Sequence, residues 1–209
     1  DSDTEDDSSG CRRGPYIPRG VVLQWHVTER CNLRCAHCYQ AEYGGDELPF
    51  PQLLHILEQY KELLTRWRGQ TSSRPVRGHI TVTGGEPFVR HDFLDLLDVF
   101  RANRQHFSFA ILTNGSFVDI KLARRLRKLA PTFVQVSLEG SRSTHDSIRG
   151  EGNFDRTIAS IRHLKRARIR TLISFTANRK NYREFPDVAR LGQQLRVTRV
   201  WADRLIPHG

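Results

Sequence analysis

Trp25-His26-Val27-Thr28-Glu29-Arg30-Cys31-Asn32-Leu33-Arg34-Cys35-Ala36-His37-Cys38-Tyr39 is the stretch on which the fold turns, and it holds three of the chain's four cysteines, spaced C-x3-C-x2-C. It follows directly on a short apolar and β-branched run at residues 21–28 that reads as a strand, so the cysteines sit in the loop at that strand's carboxyl end. Three thiolates do not close a four-ligand metal site: tetrahedral zinc needs another partner, and an iron–sulfur cube is usually held by four cysteines. One coordination position is left open, which suggests chemistry rather than scaffolding. Two plainer readings compete. His37 as a fourth zinc ligand is disfavoured because it adjoins Cys38, and a disulfide needs an oxidising compartment, for which no signal peptide speaks.

Working outward, helical and strand periods alternate along the chain. Leu53, Leu57, Tyr60, Leu64 and Trp67 recur at three- and four-residue steps and predict a helix over 51–68. A polar loop over 69–77 leads to a second strand at 79–83, which ends in Gly84-Gly85-Glu86-Pro87. A helix at 92–103, a strand at 107–112 closed by Thr113-Asn114-Gly115, a helix at 119–129 and an alternating strand at 132–138 closed by Glu139-Gly140 continue the series. After a loop at 141–152 come a helix at 153–168, a strand at 169–176, a helix at 182–195 and a sixth strand at 197–202. Strands alternating with helices imply parallel pairing through right-handed crossovers, in a partial barrel or a doubly wound sheet. In either, ligands gather at the carboxyl ends of the strands, where each of these motifs lies.

The residue types have local meaning of their own. Gly84-Gly85 lacks β-carbons and permits close backbone approach, while Glu86 offers an acceptor for a cation. Ser137 and Glu139 share one side of their strand by period-two alternation. Arg149 is suited to a forked contact with a carboxylate. Thr113 and Asn114 read as pocket lining or as turn formers, and Trp201 as core rather than as an adenine contact.

Cys31, Cys35, Cys38 and the aromatic Tyr39 together resemble the signature of radical S-adenosylmethionine (SAM) enzymes, and the resemblance runs from about residue 21 to the end of the chain. It implies an incomplete (β/α)6, TIM-like barrel of α/β class. It implies a [4Fe-4S] cluster on Cys31, Cys35 and Cys38, with SAM chelating the fourth iron. It further implies that an external electron donor reduces the cluster, that the SAM carbon–sulfur bond breaks, and that a 5′-deoxyadenosyl radical abstracts hydrogen from a substrate. For SAM itself the resemblance points to Tyr39, Gly84, Gly85, Glu86, Thr113, Ser137, Glu139 and Arg149; Glu139 stands where aspartate is usual. Asn178 and Asn181 match positions that shape the adenosyl pocket. His145-Asp146-Ser147-Ile148-Arg149-Gly150 is similar to the HDxxRG segment of the peptide-modifying and sulfatase-activating branch, so a peptide or protein substrate is expected. Small-molecule cofactor synthesis of the molybdopterin or haem kind is the alternative within enzymes, and a metal-binding module without turnover is the alternative outside them.

Composition bounds these expectations. With 209 residues, 38% of them hydrophobic, the chain suits one domain with a sizeable core, here 20–209. Residues 1–10 contain five acids and no base, and 1–19 reads as a disordered acidic tail in which Cys11 is a bystander thiol. The absence of methionine and the start at Asp1 suggest a fragment or processed chain, lacking the cysteine-rich C-terminal extension of many peptide-modifying relatives. No apolar run approaches membrane-spanning length, and a cytoplasmic location is expected. The net charge of +10 attracts anions, but the arginines are scattered without stacking aromatics, which favours solvated helix faces over a nucleic-acid surface.

Overall fold

Alternation of side chains explains the sheet. In a computed structural model describing residues 20–40, 43–69 and 76–206, six strands form one sheet: β1 (Gly20–His26), β2 (Arg77–Thr83), β3 (Phe107–Thr113), β4 (Val134–Ser137), β5 (Thr171–Ala177) and β6 (Arg199–Arg204). They pair in sequence order and every pairing is parallel, as a right-handed βα series dictates. β1 and β6 are the two edges, so the result is a half-barrel, the partial TIM-like architecture expected from the sequence.

On the convex face Trp25, Ile80, Val82, Phe109, Ile111, Val134, Val136, Ile173 and Phe175 are buried. They pack against α1 (Phe50–Gly69), α2 (Phe93–Ala102), α3 (Ile120–Leu129), α5 (Asn153–Arg166) and α6 (Phe185–Gln194). The anticipated stripes supply the helical side: Leu53, Leu57, Tyr60 and Leu64 of α1, and Phe93, Leu97 and Phe100 of α2, are all buried. On the concave face the same strands carry Gln24, Thr83, Gln135, Ser137, Ser174 and Thr176, which line a cavity rather than a packed core. A closed eight-stranded barrel fills its interior with apolar layers; a six-stranded one with polar inner positions leaves room for a ligand.

Two elements depart from the sequence reading. Residues 141–152, expected as a loop, contain helix α4 (Arg142–Arg149), which buries His145 and Ile148. The segment lacks an apolar period because one side of α4 packs through a histidine and an arginine. The helix expected over 182–195 begins as a separate 3-10 turn at Tyr182–Glu184, with Pro186 at the start of α6. The acidic head with Cys11, and most of the polar loop at 69–77, lie outside the described residues. Among the described residues no helix is long and apolar enough to cross a membrane.

Candidate active site

Cys31, Cys35 and Cys38 leave β1 on a loop that is tied down on three sides. Behind it runs the glycine pair: Gly85 N–H donates to the Thr28 carbonyl at 2.8 Å, and Glu86 N–H to that of Arg30 at 2.9 Å. A β-carbon on Gly84 would stand 2.3 Å from the Thr28 oxygen, and one on Gly85 2.3 Å from the Arg30 oxygen. The pair's lack of side chains is therefore needed first for contact with the cysteine loop itself. Gly84 also takes φ +145°, open essentially to glycine alone.

On the second side the turn after β3 engages the loop. Asn114 Nδ2 donates to Asn32 Oδ1 at 3.0 Å, and Asn32 Nδ2 to Ser116 Oγ at 2.9 Å. Glu86 joins this turn to the glycine segment by accepting from the Thr113 hydroxyl at 2.8 Å, Asn114 N–H at 2.7 Å and Phe88 N–H at 3.3 Å. Its carboxylate is wholly buried, and burial pushes it up to about 7 against the pull of those three donors. On the third side Ala36 N–H donates to the Ile148 carbonyl of α4 at 2.8 Å. Buried Arg90 gathers both ends of the excursion, reaching the Val27 carbonyl at 3.2 Å and the Leu48 carbonyl at 2.8 Å while paired with Asp92 at 2.5 Å.

All three cysteines are free and half-buried, so no disulfide joins them. Among the described residues no three His, Cys, Asp or Glu side chains converge on a point where a single ion would sit. His37, the one candidate for a fourth zinc ligand, instead turns Nε2 toward Glu139 at 3.5 Å. Each cysteine sulfur has a donor nearby: Asn114 Nδ2 at 4.0 Å from Cys31, Arg149 Nη1 at 3.9 Å from Cys35, and the Tyr43 hydroxyl on Cys38. That last bond, with burial, pushes Tyr43 up to about 12, and the Arg34 guanidinium lies 3.9 Å over its ring. Burial raises the Cys31 and Cys35 thiols as well, and only at Cys35 does a neighbouring cation, Arg149, oppose it strongly. Raised thiols of this kind would become thiolates on coordination to a metal, which deprotonates its thiol ligands outright.

The three cysteines, Tyr39, Gly84, Gly85, Thr113, Asn114, Ser137 and Arg149 line one cavity of about 650 Å³. Of the eight residues expected to contact SAM, Glu86 and Glu139 stand outside that lining, each as a buried anchor behind it. Trp201, expected as core, is 37% exposed and forms part of the cavity wall, with its indole N–H on Gln135 Oε1 at 3.0 Å. The cause is its place on the inner side of an edge strand. A second cavity of about 730 Å³ shares His37, Arg204 and Leu205 with the first and adds Ala36, Ile148, Ala177 and Asn178. Asn181, buried, braces the loop after β5 through the Thr176 and Glu139 carbonyls. The residues missed in the sequence are His37 as a wall of both cavities, Tyr43 and Arg90. His37 and Tyr43 flank the cysteine motif, which was the available signal; Arg90 had none.

A parallel half-barrel with a three-thiol loop at its ligand-binding end defines a class, and comparison with known proteins agrees with it. Residues 25–192 match the model of the Radical SAM superfamily, and the chain belongs to that superfamily of enzymes, whose cofactors are a [4Fe-4S] cluster and SAM. It is 32% identical over 189 residues to Fe-coproporphyrin III synthase of Methanosarcina barkeri, covering 90% of this chain and 45% of that protein. It is 30% identical over 200 residues to the mycofactocin maturase MftC of Mycobacterium tuberculosis, covering 88% and 48%. The chain thus spans just under half the length of these relatives. Among solved structures, Streptococcus suis SuiB bound to precursor peptide SuiA superposes with a TM-score of 0.72 at 18% identity, over 91% of this chain and 40% of that one. The structure of anSMEcpe with bound AdoMet gives 0.70 at 16% identity, over 90% and 52%.

Proposed function

We propose that residues 20–209 form a radical SAM core in which Cys31, Cys35 and Cys38 hold the [4Fe-4S] cluster, and Tyr39, Gly84, Gly85, Thr113, Ser137 and Arg149 receive SAM. The observation that carries this reading is that three free thiols and these six residues line a single cavity at the carboxyl ends of the strands. When bound and reduced by an external donor, the cluster supplies the electron that breaks the SAM carbon–sulfur bond, giving the 5′-deoxyadenosyl radical that takes hydrogen from a substrate. The protein's own part is placement. Glu86 holds the Thr113-Asn114 turn against the cysteine loop, Arg149 brings positive charge to the cavity wall while its fork is taken by Glu139, and the apolar second cavity beside Asn178 suits an adenine ring. A reduced cluster and free thiols fit the cytoplasm.

The substrate we favour is a peptide or protein. The sheet is open between its edge strands β1 and β6, and both mycofactocin maturase and peptide-bound SuiB are similar to this protein. A tetrapyrrole-type cofactor precursor is the second reading, supported by the similarity to Fe-coproporphyrin III synthase. Anaerobic reconstitution tests the core claim. Wild-type protein is expected to take up about four irons per chain and to cleave SAM under dithionite, with alanine at any of the three cysteines abolishing both. One zinc per chain, or an iron protein inert to SAM, overturns it. Incubation of the full-length protein with candidate peptides and with iron porphyrins then separates the two substrates by product mass.

A further inference from the structure

Glu139 lines neither cavity, yet it grips two side chains that do. Its carboxylate is wholly buried. Oε1 accepts from Arg149 Nη2 at 2.6 Å and Nε at 3.1 Å, with His37 Nε2 at 3.5 Å from the same atom. Oε2 accepts from Thr176 N–H at 2.9 Å. The backbone is fixed as well, its N–H donating to His145 Nδ1 at 3.1 Å and its carbonyl accepting from Asn181 Nδ2 at 3.1 Å. Every polar atom of Glu139 is engaged, so the carboxylate has no freedom to swing.

That rigidity decides where the arginine points. A planar guanidinium with Nε and Nη2 tied to one carboxylate oxygen has only Nη1 left to direct, and Nη1 faces Cys35 Sγ at 3.9 Å. The donors at the other two sulfurs are neutral, an amide at Cys31 and a phenol at Cys38. The three corners are therefore unequal, and among the described residues the one charged donor belongs to Cys35.

We propose that Glu139 is a positioning residue that fixes Arg149 as a charge-assisted donor to the Cys35 sulfur and thereby raises the reduction potential of the cluster. The inference rests on the reading of Cys35 as a cluster ligand. Hydrogen bonds to ligand sulfurs and local charge are what tune such potentials, and a donor at sulfur favours the electron-rich, reduced state.

An EPR-monitored redox titration of the reconstituted full-length protein without SAM tests it, because two explanations of Glu139 differ in sign. Removing a buried anion beside the cluster raises the potential by electrostatics alone; releasing Arg149 lowers it. Glu139→Gln is expected to lower the midpoint, with a roughly tenfold change in the one-electron equilibrium, about 59 mV. Glu139→Asp keeps the charge but withdraws it by one methylene, out of joint reach of Thr176 and Arg149, and is expected to shift the midpoint the same way. It also serves as the readout if the glutamine variant does not fold. Adding Glu139→Gln to Arg149→Gln should reverse the effect and raise the midpoint, since only the anion is then lost. A rise or no change in the single variants overturns the proposal. Failure of the wild type to assemble any cluster would instead overturn the reading of the cysteines.

Discussion

Two buried titratable groups on either side of the cysteine loop respond to pH in opposite directions. Burial lifts the Glu86 carboxyl from 4.5 to about 7, so between those values the folded protein retains a proton that the unfolded chain has released. Its contribution to stability falls as pH rises through that window. Burial, aided by the Arg149 charge, lowers His145 from 6.5 to about 4. Between those values the unfolded chain takes up a proton that the folded protein refuses, and stability is lost as pH falls. Denaturant midpoints measured across pH 4 to 7 should separate them. His145→Gln is expected to flatten the acid-side loss, and Glu86→Gln the decline toward neutrality. Parallel curves for both variants and the wild type would refute the assignment. Glu139 adds to the acid side only below about 4.5: burial alone would raise it, but the His37 hydrogen bond and the Arg149 charge hold it at about 2.

At the scale of elements, α4 joins the site to the scaffold through one aspartate. Asp146 Oδ1 accepts from Phe154 N–H at 2.7 Å and Oδ2 from Gly152 N–H at 3.1 Å, so a residue of α4 caps the start of α5 across the left-handed Gly150 and Gly152. Asp146→Ala is expected to cost about 1–2 kcal/mol, in the range of a lost helix cap, as a lower urea midpoint at unchanged slope. Gly85→Ala should do more damage, because its β-carbon would stand 2.3 Å from a backbone oxygen that cannot yield without moving the cysteine loop. Poor iron uptake despite a folded far-UV spectrum is the expected outcome, and normal uptake would count against the close approach. These two positions also mark what the chain discloses unaided. The strands announce themselves because Ile80 and Val82, or Val134 and Val136, alternate with polar residues, and the glycine pair because no other residue type suits it. Helix α4 stays hidden because Ser141 to Gly150 carries no apolar period, and what holds it is the buried His145 and the salt bridge of Arg149 to Glu139, just past the end of β4. Burial of polar groups depends on which partners the fold brings to them, and apolar periodicity carries no trace of those.

For the whole molecule, the open edge governs access. β6 is paired on one side only, through β5, and all but one of its residues are exposed. β3 is flanked on both sides, and Phe107, Phe109, Ala110 and Ile111 in it are fully buried or nearly so. Backbone amides at a frayed edge open at lower free energy than those in a central strand, so β6 should exchange hydrogen for deuterium first and β3 last. Yet Trp201, Asp203 and Arg204 of β6, together with Leu205 and Ile206, form the wall of the cavity that faces the cysteine loop across the half-barrel. A ligand filling that space touches both the loop after β1 and the strand at the opposite edge, doing for the open barrel what missing strands would do in a closed one. Loading the reconstituted protein with SAM is therefore expected to slow exchange in β6 at least severalfold while leaving β3 unchanged, since a site binding only the folded, closed form stabilises its least stable part most. Protection confined to the cysteine loop, with β6 exchanging as before, would place SAM against one wall only and exclude the edge strand from the site.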